Sequence, residues 1–284
     1  MTAVGIFGVD IHPRYQAGIS IEQIRREGFD FIAVKVTDGM DSSFMEAGSA
    51  DMIRRAKKAG LLTLGYHYLR AGNEEVQAKL FGAQLRTLQV PGMLDAEEGA
   101  GGITSIRAFM AACRKHNIPV PLMYLPRWYW QKIGSPDLRG LPPLWASRYV
   151  TGADFAAKLY DRHSAAGWES YGGLPVEVLQ FTDKARVAGR NIDADHYRGT
   201  REQFAALIGT EEDVMASLDD VRRVVREELR SPIPREGGVP DSTSIAAVAA
   251  WSDARFNGIL KRLDDIEKML KQHSTGAAVE TPKP

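Results

Sequence analysis

From Val4 to about Gly209, short apolar runs alternate with amphipathic stretches, and this rhythm admits few folds. VGIFGVDI, FDFIAVKVT, LLTLGYHYL, VPGMLDAE, VPLMYLP, PPLWASRYV and VEVLQFTD read as strands. Between several of them, SIEQIRREG, FMEAGSADMIRRAKKAG, EEVQAKLFGAQLRTL and ITSIRAFMAACRKHN carry apolar residues at helical spacing. Ser20 precedes Glu22 and Gln23 as a cap, while Gly28 and Gly60 stand as stops. Repeated strand and helix units call for a parallel α/β sheet or a (β/α) barrel. After HNIPVPLMYLP the helices shorten, so the second half of such a barrel is expected to be irregular.

The pattern changes past residue 209, where the barrel, 1–209, is expected to end. Residues 210–231 read as a charged amphipathic helix with Val214, Leu218, Val221, Val225 and Leu229 at helical spacing. Residues 232–244, rich in Pro, Gly and Ser, read as a linker. Residues 245–273 read as a second helix, with Ile259, Leu263, Ile266 and Leu270 forming a short heptad seam. That seam leaves homo-oligomerisation and packing onto the barrel as open alternatives. Residues 274–284 read as a disordered tail.

Thirty-six basic and 36 acidic residues cancel, so no global field draws the chain to nucleic acid or an anionic membrane. The basic runs RRAKK and VRRVVREELR interleave with apolar positions and read as solvated helix faces. One cysteine, Cys113, rules out an internal disulfide and a cysteine-built metal site, and its helical context makes it a core residue. The N-terminus lacks the features of a secretion signal, and no apolar run is long enough to span a bilayer. The expectation is a protein made in the cytoplasm without membrane insertion.

The chemistry concentrates in MLDAEEG, residues 93–99. Strand residues i and i+2 share a face, so Asp95 and Glu97 are expected to point together into the C-terminal mouth, with Glu98 turned away. Asp10 closes the run GIFGV, and Asp193 and Asp195 follow VLQFTDKARVAGRNI. Unpaired carboxylates at buried strand ends are costly, which asks for a purpose. Hydrolysis of a glycosidic bond supplies one: an acid to protonate the leaving oxygen, and a second carboxylate to activate water, attack, or steady positive charge. Neighbouring negative charge raises the pKa of one member, making Glu97 the acid and Asp95 the group that helps hold its proton. The competing reading has these acids capping helices or pairing at the surface.

Tyr66, Tyr68, Tyr124, Trp145 and the run Trp128, Tyr129, Trp130 offer flat faces for sugar rings, or else fill the core. His12, His67 and His196 lie near strand ends, but without H-x-H or H-E-x-x-H they read as orienting or packing residues. No metal and no cofactor is expected. GAGG lacks the Gly-Lys-Ser/Thr of a phosphate loop.

Taken in order, these segments resemble the family 25 glycoside hydrolases, the Chalaropsis-type lysozymes or N-acetylmuramidases common among phage endolysins. GVDI, GFDFIAVKVTDG, AGLLTLGYHYL, MLDAEEG, PLWASRY and VLQFTDKARVAGRNIDADHYRG carry the likeness, from Gly8 to about Gly199. The resemblance implies a (β/α)5β3 TIM-like barrel that cuts the β-1,4 bond between N-acetylmuramic acid and N-acetylglucosamine in peptidoglycan. It implies Glu97 as catalytic acid/base with Asp95, Asp10 and Asp193 lining the site. Lys35, Tyr66 and Tyr124 are implied as substrate contacts, with Trp145 and Gln180 on the matching later strands. The family's favoured mechanism is retaining: the substrate's 2-acetamido group attacks, and an aspartate, here Asp193 or Asp95, steadies it. The chain departs from the family at Leu179 (usually Trp), Asp38 (usually Glu), Asp195 (usually Asn) and in the loop EEGAGG. An endolysin without a signal peptide would need a holin-like partner to reach the wall. The alternatives are a non-catalytic barrel that binds the cell wall or serves as a structural component of a virion, and a metal-dependent barrel hydrolase.

Overall fold

A computed structural model describes residues 5–161 and 165–210. The described strands close into one barrel in chain order. They are β1 (Ile6–Ile11), β2 (Phe29–Asp38), β3 (Leu62–Tyr68), β4 (Gly92–Asp95), β5 (Leu122–Tyr124), β6 (Leu144–Ser147), β7 (Val176–Val187) and β8 (Arg190–Tyr197). Around them lie α1 (Ile21–Arg26), α2 (Ala50–Lys58), α3 (Glu74–Leu88), α4 (Ile103–Lys115), α5 (Arg127–Lys132), α6 (Ala156–Tyr160) and α7 (Arg201–Ile208). Adjacent strands from β1 to β7 pair in parallel, whereas β8 runs antiparallel to both β7 and β1. This is the irregular α/β barrel expected, with long helices confined to its first half.

Period-two alternation builds two cores. Facing inward, Ile6, Phe31, Ala33, Leu62, Leu64, Met93, Leu122 and Val178 fill the lower barrel, and Phe204, Ala205 and Ile208 of α7 close it from below. Phe31 and Phe204 stack with centroids 4.4 Å apart. Facing outward, Val9, Ile32, Leu94, Met123 and Leu179 pack under the helices against Ile24, Ile53, Phe81 and Phe109. Gly8 has a steric reason: a Cβ there would lie 2.0 Å from the Phe31 ring.

The helix punctuation holds. Ser20 accepts from the Gln23 amide at 3.2 Å, and Gly28 and Gly60 take positive φ beyond α1 and α2. Cys113 is buried in α4 as a core residue, its thiol pushed up to about 12 by burial. Among the described residues, no helix is long and apolar enough to cross a membrane.

One element went unread in the sequence. β7 continues to Val187, turns through Ala188 and Gly189, both at positive φ, and returns as β8. Asp193 and Asp195 therefore lie on a strand, not in a loop after one. The helix expected over 210–231, the linker over 232–244, the helix over 245–273, the tail over 274–284 and self-association through them lie outside the described residues, save Thr210.

Candidate active site

A cavity of about 410 Å³ opens at the C-terminal ends of the parallel strands and is bordered by Asp10, Lys35, Tyr66, Asp95, Glu97, Tyr124, Trp145, Gln180 and Asp193. The nine residues that the family resemblance points to thus border one cavity. The reason is local: each parallel strand's inward series passes from apolar to polar as it nears the mouth. Ile6, Gly8 and Asp10 run up β1; Phe31, Ala33 and Lys35 up β2; Leu62, Leu64 and Tyr66 up β3; Met93 and Asp95 up β4. Asp193 joins them from the early part of β8, because that strand runs the other way.

A hydrogen-bond chain crosses the floor. Gln180 Nε2 donates to Asp10 Oδ2 at 2.6 Å, while Gln180 Oε1 accepts from Tyr124 at 3.1 Å and Tyr149 at 2.6 Å. Beside it, Trp145 Nε1 donates to Asp195 Oδ1 at 2.9 Å. On the opposite wall, Lys35 and Arg70 both bind Asp38, at 2.8 and 2.7 Å, and both lie over the Tyr68 ring. Despite burial, these two cations hold the Asp38 carboxyl below its ordinary value.

The other carboxyls go the opposite way. Burial, then the charge of Glu97, lifts Asp95 well above the ordinary aspartate range, against the pull of Lys35. Burial raises Glu97 too, opposed by Lys35 and Tyr68. Asp10 rises through burial and then the charge of Asp193, and Asp193 rises to about 6 through burial and then Asp183. Burial, more than like charge, is what raises the carboxyls of this mouth.

Several expectations need correction. Trp145 is fully buried, its edge against Phe31, so it supports the floor and presents no open face to a sugar. Trp128, Tyr129 and Trp130 lie on α5 outside the cavity lining; the Tyr129 hydroxyl binds the Gly101 carbonyl and the Trp130 indole binds that of Pro136. The open aromatic faces belong instead to Tyr149, 48% exposed, and Tyr15, 77% exposed and stacked on His12 at 4.0 Å. Glu98 points outward to Lys132 as expected, though from the turn beyond the end of β4 and not from the strand itself.

The histidines do not converge. His67 binds Thr37 and Gln77, stacks on Phe109 at 4.7 Å, and is lowered to about 3 by burial. His196 stacks on Tyr160 at 3.9 Å, and only His12 of the three borders the cavity. Among the described residues, no group of three His, Cys, Asp or Glu is placed to hold a metal ion. The sequence reading missed Tyr15, Gln16, Arg70 and Tyr149 as cavity residues. The available signal was position, since each follows a strand end within a few residues.

The model of the glycosyl hydrolases family 25 matches residues 9–190. No curated protein sequence matches the chain. Among solved structures, the muramidase from Trichobolus zukalii is similar at 24% identity and a TM-score of 0.55, over 72% of this chain and 98% of its own. The lysozyme from Streptomyces coelicolor is similar at 21% identity and a TM-score of 0.56, over 72% and 97%. The catalytic domain of endolysin ply40 from Listeria monocytogenes bacteriophage P40 is similar at 16% identity and a TM-score of 0.51, over 72% and 98%.

Proposed function

This chain belongs to family 25 of the glycosyl hydrolases and is a glycoside hydrolase, and on that premise we propose that it is a lysozyme, an N-acetylmuramidase that cleaves peptidoglycan glycan strands. The observation that carries the reading is the cavity itself: three separate chain segments bring Asp10, Asp95, Glu97 and Asp193 into one open mouth, all with raised carboxyls. A cleft that only bound glycan would have no use for so many carboxyls that are costly to bury.

Glu97 stands on the loop just past β4, part-exposed, where a glycosidic oxygen can reach it. It gives its proton to that oxygen as the bond to the anomeric carbon breaks. The carbonyl oxygen of the substrate's own 2-acetamido group closes onto that carbon, and Asp193 accepts from the acetamido N–H to steady the charge. Water, losing a proton to the Glu97 carboxylate, then opens the ring intermediate and the configuration is retained. Asp95, buried beside Glu97, tunes the acid; Asp10 faces the sugar from β1. Lys35, Tyr66, Tyr124 and Gln180 contact the substrate or hold the groups that do, and Trp145 supports them from beneath.

The finer reading is a phage endolysin that reaches the wall through a holin-like partner. Likeness to the Listeria phage endolysin domain supports it. Digestion of purified peptidoglycan, with mass spectrometry of the new reducing ends, tests the activity: muramic-acid ends are expected, and glucosamine ends or none would overturn it. Expression in a bacterial host with and without a holin tests the role, with lysis expected only in its presence.

A further inference from the structure

Beneath the cavity, Asp195 is fully buried on β8, facing Gly8 of β1 and Gln180 of β7 in register. Its Oδ1 accepts from Trp145, but its buried Oδ2 receives no hydrogen bond from any described residue. Its side chain meets that of Asp10, whose own Oδ2 is held by Gln180. Two ionised carboxylates are acceptors only and cannot satisfy each other, and a buried charged oxygen without a donor is strongly penalised. A single proton removes the conflict by turning the orphan oxygen into a donor.

The groups facing Asp195 offer no alternative partner. They are Asp10 from β1, Gln180 from β7, Trp145 from β6, Tyr149 from the loop after β6, and Asp193 from its own strand. The two cations of the cavity, Lys35 and Arg70, are both engaged by Asp38.

We propose that Asp195 is a permanently protonated positioning residue that donates its carboxyl proton to Asp10 and so holds Asp10 ionised and fixed beneath the bound sugar. The proton stays on Asp195 because that carboxyl is the deeper of the two, while Asp10 borders the cavity and already has a donor in Gln180. Burial followed by the charge of Asp10 pushes Asp195 far above the ordinary aspartate range, in the same direction. Trp145 becomes the anchor that fixes which oxygen of Asp195 carries the proton.

The inference rests on Asp10 belonging to the active site, and its test separates the two. In infrared spectra of the full chain at neutral pH, Asp195→Asn is expected to remove one carboxylic-acid C=O band; a loss of ionised-carboxylate intensity instead would overturn the proposal. Asp195→Ala is expected to lower kcat on peptidoglycan about ten- to a hundredfold with KM little changed, and Asn at the same position to restore most of it, since its amide still donates to Asp10 and accepts from Trp145. Asn failing as badly as Ala would also overturn it. If Asp195→Asn does not fold, the Trp145 indole N–H resonance decides, followed in Asp193→Asn so that the carboxyl raised to about 6 is removed: constancy from about pH 5 to 8 supports a fixed proton, and a titration step of the size of a lost charge-assisted bond within that range contradicts it. If the native chain cleaves nothing, the lysozyme reading fails, yet the spectra still locate the proton.

Discussion

The side-chain amide of Gln180 donates to Asp10 across 2.6 Å, linking β7 to β1 at the floor of the cavity. The same Gln180 receives both the Tyr124 and Tyr149 hydroxyls, so its orientation is fixed and its N–H can only point at Asp10. Gln180→Glu keeps the two acceptor bonds and loses the donor. We expect a ten- to hundredfold fall in kcat near neutral pH, partly recovered in acid, where the new carboxyl protonates and can donate again. A pH-rate profile checks this, and a loss equal at every pH would count against the orienting role.

Lys35 lowers both Asp95 and Glu97 but is shared with Asp38. Asp38→Asn removes the competing anion and leaves more of the Lys35 field on the acid pair. The general acid must be protonated to work, so a lowered pKa means activity is lost at lower pH. The basic limb of kcat/KM is expected to move down by about half to one pH unit, and an upward shift would refute the assignment.

Asp193, raised to about 6 in the fold, is ordinarily near 3.8. Above pH 6 it is charged in both states, and the folded state bears the cost of burying that charge. Below about pH 4 it is protonated in both and the cost vanishes. Asp193→Asn is therefore expected to stabilise the barrel by about 1–3 kcal/mol at pH 8 and by almost nothing near pH 3, while impairing hydrolysis. Denaturant melts at the two pH values give the answer; equal gains at both would rule out a charge-burial cause.

Gly8→Ala places a methyl 2.0 Å from the Phe31 ring inside the barrel. The expected destabilisation is about 1–3 kcal/mol. Adding Phe31→Leu should make the double variant less destabilised than the sum of the two single changes. Strict additivity in equilibrium melts would show that the glycine is there for another reason.

The barrel was legible because its parallel strands are short apolar runs that each end in a polar inward residue, as in GVD, AVK and MLDAE. Two features hid the rest. β8 is hard to read because its apolar alternation is only two residues long, Ile192 and Ala194, with Asp193 and Asp195 taking the inward positions, and its turn opens on Ala188, not on Gly or Asn. Between sugar face and core filler the sequence could not choose for Trp145, because periodicity gives the direction of a side chain but not its depth, and here the indole sits below the mouth. Tyr149 and Arg70 escaped because loop residues have no period to read, and their place depends on closure of the whole barrel.

The decisive measurement is the turnover of purified peptidoglycan by the native chain and by Glu97→Gln, with both proteins shown to be equally folded by circular dichroism and thermal melting. Glu97 is only part-exposed and near-isosteric with Gln, so the fold should survive. Release of muramic-acid reducing ends is expected from the native chain, with a fall of about a hundred- to ten-thousandfold in the variant, the size of a lost general acid. A folded Glu97→Gln protein that hydrolyses at the native rate would contradict the proton-donor assignment on which the mechanism stands.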